Sequence, residues 1–591
     1  MRSNKRGFNK LTKIFSLDFL GSNYYYYRKY KFAMIQLWTL QDYQNEDNSF
    51  YGSDIKSLFE NLKTKALTNS IIYVYNLNYL SSFLFWYLLK NNFNYINGKI
   101  NSKSNKGFNA LISETGIVYN VKISFNNHLF VEFRSLKNLV PYSLEKLNID
   151  FDCEEDLSIY SPEEEDDIID FKYTQNKLEW LFSRCRIINK VLSFFFRADL
   201  NFLTISSASY HSLISTCPNF STYYPKLNED WLLEWRLAYR GGRTQIRQGL
   251  ENRILLDIHR YDFNSMYPYI MKNYRLPYGE PIKIKKVNSF EFELYKVEIQ
   301  IGIKKGHLPC ILKKDPKNTS LDILGESYIT SMEEIEIIYI TNYDLELIKK
   351  HYDIYYINFL EMYGFLTSKT DFSDYIEYWY KKKLEDKKEN NKAKYLIDKL
   401  MLNTPSGKFG TILKQANLIP TLDINNKDYV QYIPTKEKLI GNYYLPLIIA
   451  ITSIAHVLLD NIISKIGLKN FCYCDTDSIH CYCDLEKYFP ELVDNEVLGK
   501  MKKEKSFKYV KYLKPKCYIY NEIDTEEVKA VISGVNGEEL NKWIKEKQEL
   551  YPKYKTLYPI ACFKENVSIF NRILKEVEGG AVYERRVFKI F

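Results

Sequence analysis

The chain has 591 residues, 46% of them hydrophobic and 26% charged, which excludes a single small module, a disordered chain and a collagen-like repeat. Lysine and arginine number 82 against 73 acidic residues, a formal charge of +9, an excess that matters only where the basic residues cluster. Ten cysteines are too sparse for a disulfide scaffold and predict a reducing, intracellular compartment.

The N-terminus, MRSNKRGFNKLTKIFS, carries five basic residues and no acid before Asp18; it reads as a basic tail leading into a first strand, with a targeting peptide as the alternative. The following residues mix β-rich runs (KIFSLDF, SIIYVYNL, HLFVEFRSL) with helical stretches such as 79–90 and reach an acidic loop, SPEEEDD, the pattern of an α/β domain. Residues 178–235 are helical in period and lead to YRGGRTQ, where Gly241 and Gly242 mark a linker or a loop for backbone contact. From 252 to 285 a strand, RILLDIHRYDF, is followed by a turn and a helix. A β-rich insertion extends to about 370, a single lysine-rich helix is predicted over 373–403, and a second insertion to about 444 should project as a hairpin. The apolar run 445–459 contains Pro446 and His456, falls short of a membrane span, and is predicted to be a buried helix, so no membrane partner is expected. The tail begins MKKEKSFKYVKYLKPKCY, lysines interleaved with aromatics, and ends in a hairpin-like VEGGAVYERRVF around Gly579 and Gly580.

YCDTDSIH (473–480) puts Asp475 and Asp477 two residues apart between apolar arms, and in a hairpin such residues share a face. Two carboxylates on one face repel each other and resist desolvation unless a cation joins them, and hard oxygen ligands suit Mg2+; an ordinary acidic turn is the alternative. YDFNSMYP (261–268) places Asp262 at the end of an apolar strand with Tyr267 and Pro268 opening the next turn, so the two elements meet if their strands are neighbours. In the helix predicted over 373–403, Lys388, Lys392 and Lys399 fall on one face with Asn403 a turn further on. Glu385, Asp386 and Glu389 can neutralise its first turns, whereas Lys399 stands in the apolar surround LIDKLML and implies an anionic partner. Carboxylates for metal and lysines for polyphosphate are the parts of in-line phosphoryl transfer with two metal ions. The cysteines Cys472, Cys474, Cys481 and Cys483 beside His480 also invite a zinc reading, but C-x-C arms alternating with Tyr473 and Tyr482 are explained by small buried apolar side chains.

In order and spacing, YDFNSMYP, KLMLNTPSGKFG and YCDTDS resemble the three polymerase motifs of family B DNA polymerases, and KPKCY (514–518) resembles the lysine and tyrosine motif that follows them. YRGGRTQ, RLPYGEP (275–281) and TNYDLELIKKHY (341–352) are similar to the protein-primed branch, the replicases of small linear phage genomes and linear plasmids. The resemblance runs from Asp18 to Phe591. It implies an α/β multidomain fold: an N-terminal RNase H-like exonuclease-type domain (1–200), a linker with the YRGG loop and the first palm segment (201–282), a first insertion contacting DNA and a priming protein (283–372), fingers (373–410), a second insertion for strand displacement and processivity (411–444), palm (445–529) and thumb (530–591). It implies a monomeric DNA-directed DNA polymerase acting on primer-template DNA and dNTPs with two Mg2+ ions, for which Mn2+ can substitute, primed by a terminal protein, in the cytoplasm of a host or in a mitochondrion.

Carried over by motif, the resemblance makes Asp262 and Asp477 the metal ligands with Asp475 beside them. Lys399 and Asn403, helped by Lys387 or Lys388, would face the incoming triphosphate, and Tyr267 would lie under the deoxyribose and reject a 2′-hydroxyl. Lys514, Lys516 and Tyr518 would hold the primer strand, and Tyr239, Arg240, Gly241 and Gly242 the template. One departure stands in the second motif, where the family has a tyrosine before the glycine and this chain has Ser406 after Pro405; it bears on base selection and nucleotide affinity more than on catalysis.

The family's proofreading domain holds its metals with four carboxylates, and here three are replaced. Asp18 remains, but the other positions read Leu20, Leu80 and Lys177. Asn76, Tyr79, Ser135, Leu136 and Tyr173 match positions that grip single-stranded DNA or the priming protein. The resemblance thus implies a domain kept as a clamp and lost as a nuclease, with Asp54, Asp170 or Glu179 as conceivable replacement ligands. A polymerase-fold protein repurposed for defence or DNA binding is the alternative function. A reverse transcriptase is a third, although its two aspartates are adjacent and Thr476 intervenes here.

Overall fold

Strand Ile14–Gly21 is buried at six of its eight residues and lies between the antiparallel strand Ile35–Asp42 and the parallel strand Ser70–Val74, so it must be covered on both faces. Phe15, Leu17 and Phe19 pack in the core under helix Leu77–Lys90. Ser16, Asp18 and Leu20 face helix Gln175–Arg197, where Cys185 Sγ reaches Ser16 O, Arg184 pairs with Asp18 and Leu178 packs on Leu20. This eight-stranded sheet with helices on both sides is the N-terminal α/β unit.

The computed structural model describes residues 13–589 except 22–24, 28–29, 65–66, 68, 99, 101–105, 126–128, 162–172, 199, 315–327, 370–371, 412–413, 424–428, 440–442, 524, 526, 536 and 565–567. The basic N-terminal stretch before residue 13, the acidic loop beyond residue 161 and Asp170 lie outside the described residues.

A second eight-stranded sheet carries the chemistry. Ile254–Phe263 runs through its middle, between Ser478–Cys481 and Phe507–Lys514, with Phe471–Asp475 and Thr244–Ile246 beyond one side and Cys517–Glu522 and Val528–Ile532 beyond the other. Under it lies helix Leu445–Ile466, whose composition would suit a membrane span, but 78% of its apolar window is buried within the protein. The first insertion is a four-stranded sheet, Leu276–Lys283, Tyr352–Ser368, Phe292–Ile303 and Glu336–Thr341, backed by helix Asn342–His351. Near the C-terminus, helices Gly537–Leu550 and Leu557–Cys562 share a separate core with Leu513, Ile519 and Val528.

Two expectations are corrected. The single helix over 373–403 is two, Ser373–Lys388 and Lys392–Asn403. Asn390 adopts a left-handed φ of +55° and Asn391 caps the second helix by accepting from Lys394 N, the two conformational roles asparagine fills readily. The turn abolishes the continuous Lys388, Lys392 and Lys399 stripe. The second insertion does form a hairpin, Leu418–Leu422 with Val430–Pro434, but it does not project: Val430 lies in the N-terminal core, and Leu418, Leu422 and Tyr432 pack against it.

That core also takes Val577 and Val582 from the C-terminal hairpin, Ser568–Val577 with Gly580–Lys589. A Cβ on Gly579, at φ +89°, would stand 1.9 Å from the carbonyl oxygen of Ala33, so glycine there admits the close backbone approach in which Ala33 N donates to Glu578 O at 2.8 Å. Three segments remote in sequence thereby close on one helix, Leu77–Lys90.

Candidate active site

Strand register brings the carboxylates together. Asp262 pairs opposite Ser478, and Phe263 N donates to Asp477 O at 2.7 Å, which holds Asp477 beside Asp262. The turn between Asp475 and Ser478 contains only Thr476 and Asp477, and Thr476 takes a left-handed φ of +57°. Two-residue hairpins require such angles, which a β-branched residue adopts only under constraint. Gly242 supplies part of that constraint: a Cβ there would fall 2.3 Å from Thr476 Oγ1, and Arg243 O accepts from Thr476 N at 2.8 Å.

Burial raises both acids. Asp477 is pushed up to about 6 by burial and then by the charges of Asp262 and Asp475. Asp262 is raised by burial, against the lowering effect of Arg260, whose guanidinium donates to it in bidentate fashion at 3.2 and 3.1 Å. Asp475 is engaged differently, accepting from Lys516 Nζ and from Thr244 Oγ1, both at 2.9 Å.

Asp262 and Asp477 open into a cleft of about 150 Å3, whose opposite wall is made by Lys383, Lys387, Lys399 and Asn403. The residues singled out in the sequence as metal ligands thus face three of those assigned to the triphosphate. Lys388 is not among them: it points away and pairs with Glu496 at 3.1 Å. Lys383, which sequence reading passed over, takes its place. It lies one helical turn before Lys387, donates to Ser265 Oγ at 3.1 Å, and is pushed down to about 8 by burial and by the charges of Lys399 and Lys387. The i, i+4 spacing of Lys383 and Lys387 was the signal that could have found it.

Around the cleft the assigned residues divide. Tyr267 is the second residue of helix Met266–Asn273, is not among the residues lining the cleft, and has its hydroxyl raised by burial and by Tyr239, Asp477 and Asp475. Tyr239 packs over Gly410. Arg240 is buried and spent on the protein itself, donating to Tyr339 O, Leu312 O and Asp344, so it is a structural tie to the first insertion and offers nothing to a template strand. Tyr518 is buried beside Tyr473, Tyr512 and Tyr520; Lys514 closes strand Phe507–Lys514 as a half-buried residue. Ser406 is buried in helix Pro405–Phe409 and does not line the cleft. Cys472, Cys474 and Cys481 are buried free thiols, and Cys483 is half-buried.

Among the described residues no set of three or more His, Cys, Asp or Glu side chains forms a ready metal cage. For Mg2+ this is no obstacle, because the ion commonly uses one or two carboxylates and completes its shell with substrate phosphates. Asp262 and Asp477, half-buried and side by side at the cleft, fit that description.

The N-terminal domain does not fit a metal pair. Asp18 is buried against the Arg184 guanidinium, which itself lies 4.5 Å over Trp180. Leu20 and Leu80 are core residues, and Lys177 is buried near Tyr160. Of the conceivable replacements, Asp54 caps helix Ile55–Leu62 and Glu179 pairs with Arg186 at 2.6 Å. The residues assigned to a strand-gripping face are mostly turned inward: Leu136 is fully buried, Ser135 donates to Tyr75 O, and Asn76 and Tyr79 are covered by Tyr583. Tyr173 is 52% exposed.

Residues 55–483 match the family described as DNA polymerase type B, organellar and viral. The DNA polymerase of Bacillus phage Nf is 27% identical over 525 residues, 86% of each chain. The orthorhombic structure of phi29 DNA polymerase superposes with a TM-score of 0.84 at 22% identity over 98% of this chain and all of that one. Its ternary complex with primer-template DNA and incoming nucleotide superposes with a TM-score of 0.83 at 23% identity, again over 98% and 100%.

Proposed function

The chain belongs to the type B DNA polymerases of organelles and viruses, and from that premise we propose that it extends a DNA primer on a DNA template from dNTPs, with two metal ions at Asp262 and Asp477. The observation that carries this reading is the cleft in which those two carboxylates face Lys383, Lys387 and Lys399. Mg2+ held by Asp262 and Asp477 would activate the primer hydroxyl and neutralise the developing phosphate charge. The lysines bind and orient the polyphosphate, whose negative charge offsets their mutual repulsion, and Asn403 adds a neutral donor. Lys516 neutralises Asp475, and Asp262 and Asp477, which line the cleft, are the carboxylates assigned to metal. Tyr267, wedged beside Tyr239, is assigned to the sugar edge of the nucleotide.

Three finer elements belong to the same proposal. Processive synthesis with strand displacement is supported by the closure of the second insertion and the C-terminal hairpin onto the N-terminal domain, which suits a chain that encircles its DNA. Priming by a terminal protein is supported by the first insertion, which exposes Ile335, Ile337, Tyr355 and Tyr356. Lack of proofreading is supported by the arginine on Asp18 and by Leu20, Leu80 and Lys177. Ten free cysteines suit an intracellular setting.

Primer extension by the purified chain with Mg2+ on DNA and on RNA templates tests the function. Extension on DNA alone is the expected result; none on either template favours a repurposed polymerase fold, and extension on RNA a reverse transcriptase.

A further inference from the structure

Arg260 stands two residues before Asp262 on the same strand, and side chains at that spacing share a face. Its Nε and Nη2 donate to the two carboxylate oxygens at 3.2 and 3.1 Å, and the pair is accessible, with side-chain exposures of 30% and 27%. A cation on a metal ligand obstructs the metal, since a divalent ion arriving at Asp262 meets a guanidinium already there.

Among the described residues the guanidinium has no second carboxylate within ion-pair distance, although Glu504 is near enough to act on it electrostatically. Glu504, on the neighbouring segment whose backbone N donates to Arg260 O, is paired with Lys502 at 2.5 Å. Asp475 is held by Lys516 at 2.9 Å, and Asp484 by Lys503 at 3.1 Å and by the Tyr261 hydroxyl at 2.7 Å. Asp477 is the other candidate metal ligand. Each nearby carboxylate among the described residues therefore has its own cation, hydroxyl or assigned metal. Once Asp262 is taken by metal, the anion that a primer terminus brings into the open cleft is a phosphodiester, which a planar guanidinium recognises well. Tyr518, assigned to the primer strand, is close enough to interact electrostatically with Arg260.

We propose that Arg260 is an exchangeable counter-ion of the metal site: it holds Asp262 until a divalent cation binds and then turns to a phosphate of the primer strand. The proposal rests on the primer-extending reading above. Arg260 is a positioning residue in the metal-free state and a DNA ligand in the loaded one, and the exchange couples metal binding to capture of the primer.

Two readouts independent of turnover test it, on the full-length chain and its Arg260→Leu and Arg260→Lys variants, each first checked for a cooperative thermal transition. Free Mn2+ is titrated by electron paramagnetic resonance, and the dissociation constant for primer-template DNA is measured against salt, with Mn2+ and in chelator. Arg260→Leu should bind Mn2+ about fivefold more tightly or better, having lost a competing charge. With Mn2+ its slope of log affinity against log salt should be shallower than that of the parent by about 0.7 to 0.9, the loss of one phosphate contact; in chelator the two slopes should coincide. Arg260→Lys, which keeps the charge but not the fork, should fall between the parent and Arg260→Leu in both. Unchanged Mn2+ affinity in Arg260→Leu, an unchanged slope with Mn2+, or a lysine variant that behaves like leucine would each overturn the proposal. Primer extension by the parent, run alongside, reports separately on the polymerase reading.

Discussion

Tyr583 lies against Tyr79 with ring centroids 4.9 Å apart, and its hydroxyl accepts from Asn76 Nδ2 at 3.4 Å. Two residues that resemble a single-strand grip are thus covered by the chain's own C-terminal hairpin. Beneath them Glu576 accepts from Ser82 Oγ at 2.7 Å and from the Tyr432 hydroxyl at 3.1 Å, so one carboxyl ties the hairpin to the N-terminal domain and to the second insertion. Burial raises Glu576 to about 7, above the usual carboxylate range. The docked state therefore holds the proton more tightly than the free hairpin, and docking should weaken as pH rises from about 4.5 through 7, then level off. Hydrogen exchange across 568–589 should accelerate over that interval, and Glu576→Gln should flatten the dependence. An exchange rate in the parent with no excess rise over the intrinsic pH effect would refute the docking account.

Catalysis should require both cleft carboxylates. Asp262→Asn and Asp477→Asn each remove a charge from the metal site, and losses of roughly 100-fold or more in primer extension are expected. Either variant within tenfold of the parent would remove that residue from the metal site.

Lys383 predicts a pH limb. Its lowered value of about 8 means that the free protein loses this cation as pH rises through 8, so kcat/KM for dNTP should fall on the alkaline side. Lys383→Gln should lose that limb and start about tenfold lower at pH 7, the scale of one charged hydrogen bond. An alkaline limb that persists in the variant belongs to another group.

Sugar selection is assigned to Tyr267. Tyr267→Val should lower the ratio of dNTP to rNTP incorporation, measured by competition on one template. An unchanged ratio would make Tyr267 a packing residue of the Tyr239 and Met266 region.

No 3′ to 5′ exonuclease activity is expected, since a two-metal nuclease needs several carboxylates and Asp18 is paired with Arg184. A mismatched primer incubated with Mg2+ or Mn2+ and no nucleotides should keep its length, and Arg184→Ala should not change that. Shortening abolished by Asp18→Ala would reveal a relocated metal site.

The sequence by itself determined what is local. Alternation and apolar runs marked the strands that carry Asp18, Asp262 and Asp475, glycines marked the loop at 241 and 242 and the last hairpin, and the order of the motifs marked the polymerase fold. It also determined which carboxylates the N-terminal domain lacks, because a leucine cannot bind metal in any fold. Tertiary structure alone decided the partners. Lys383 rather than Lys388 faces the cleft because a three-residue turn rotates the helix on one side of it, an outcome that helical period carried across the turn misjudges. Arg240 is spent on Tyr339, Leu312 and Asp344, and Tyr79 on Tyr583, and neither is written nearby in the chain. Those contacts join segments from about seventy to five hundred residues apart, where the register of sheets and the docking of a hairpin, and no local periodicity, choose which side chain meets which.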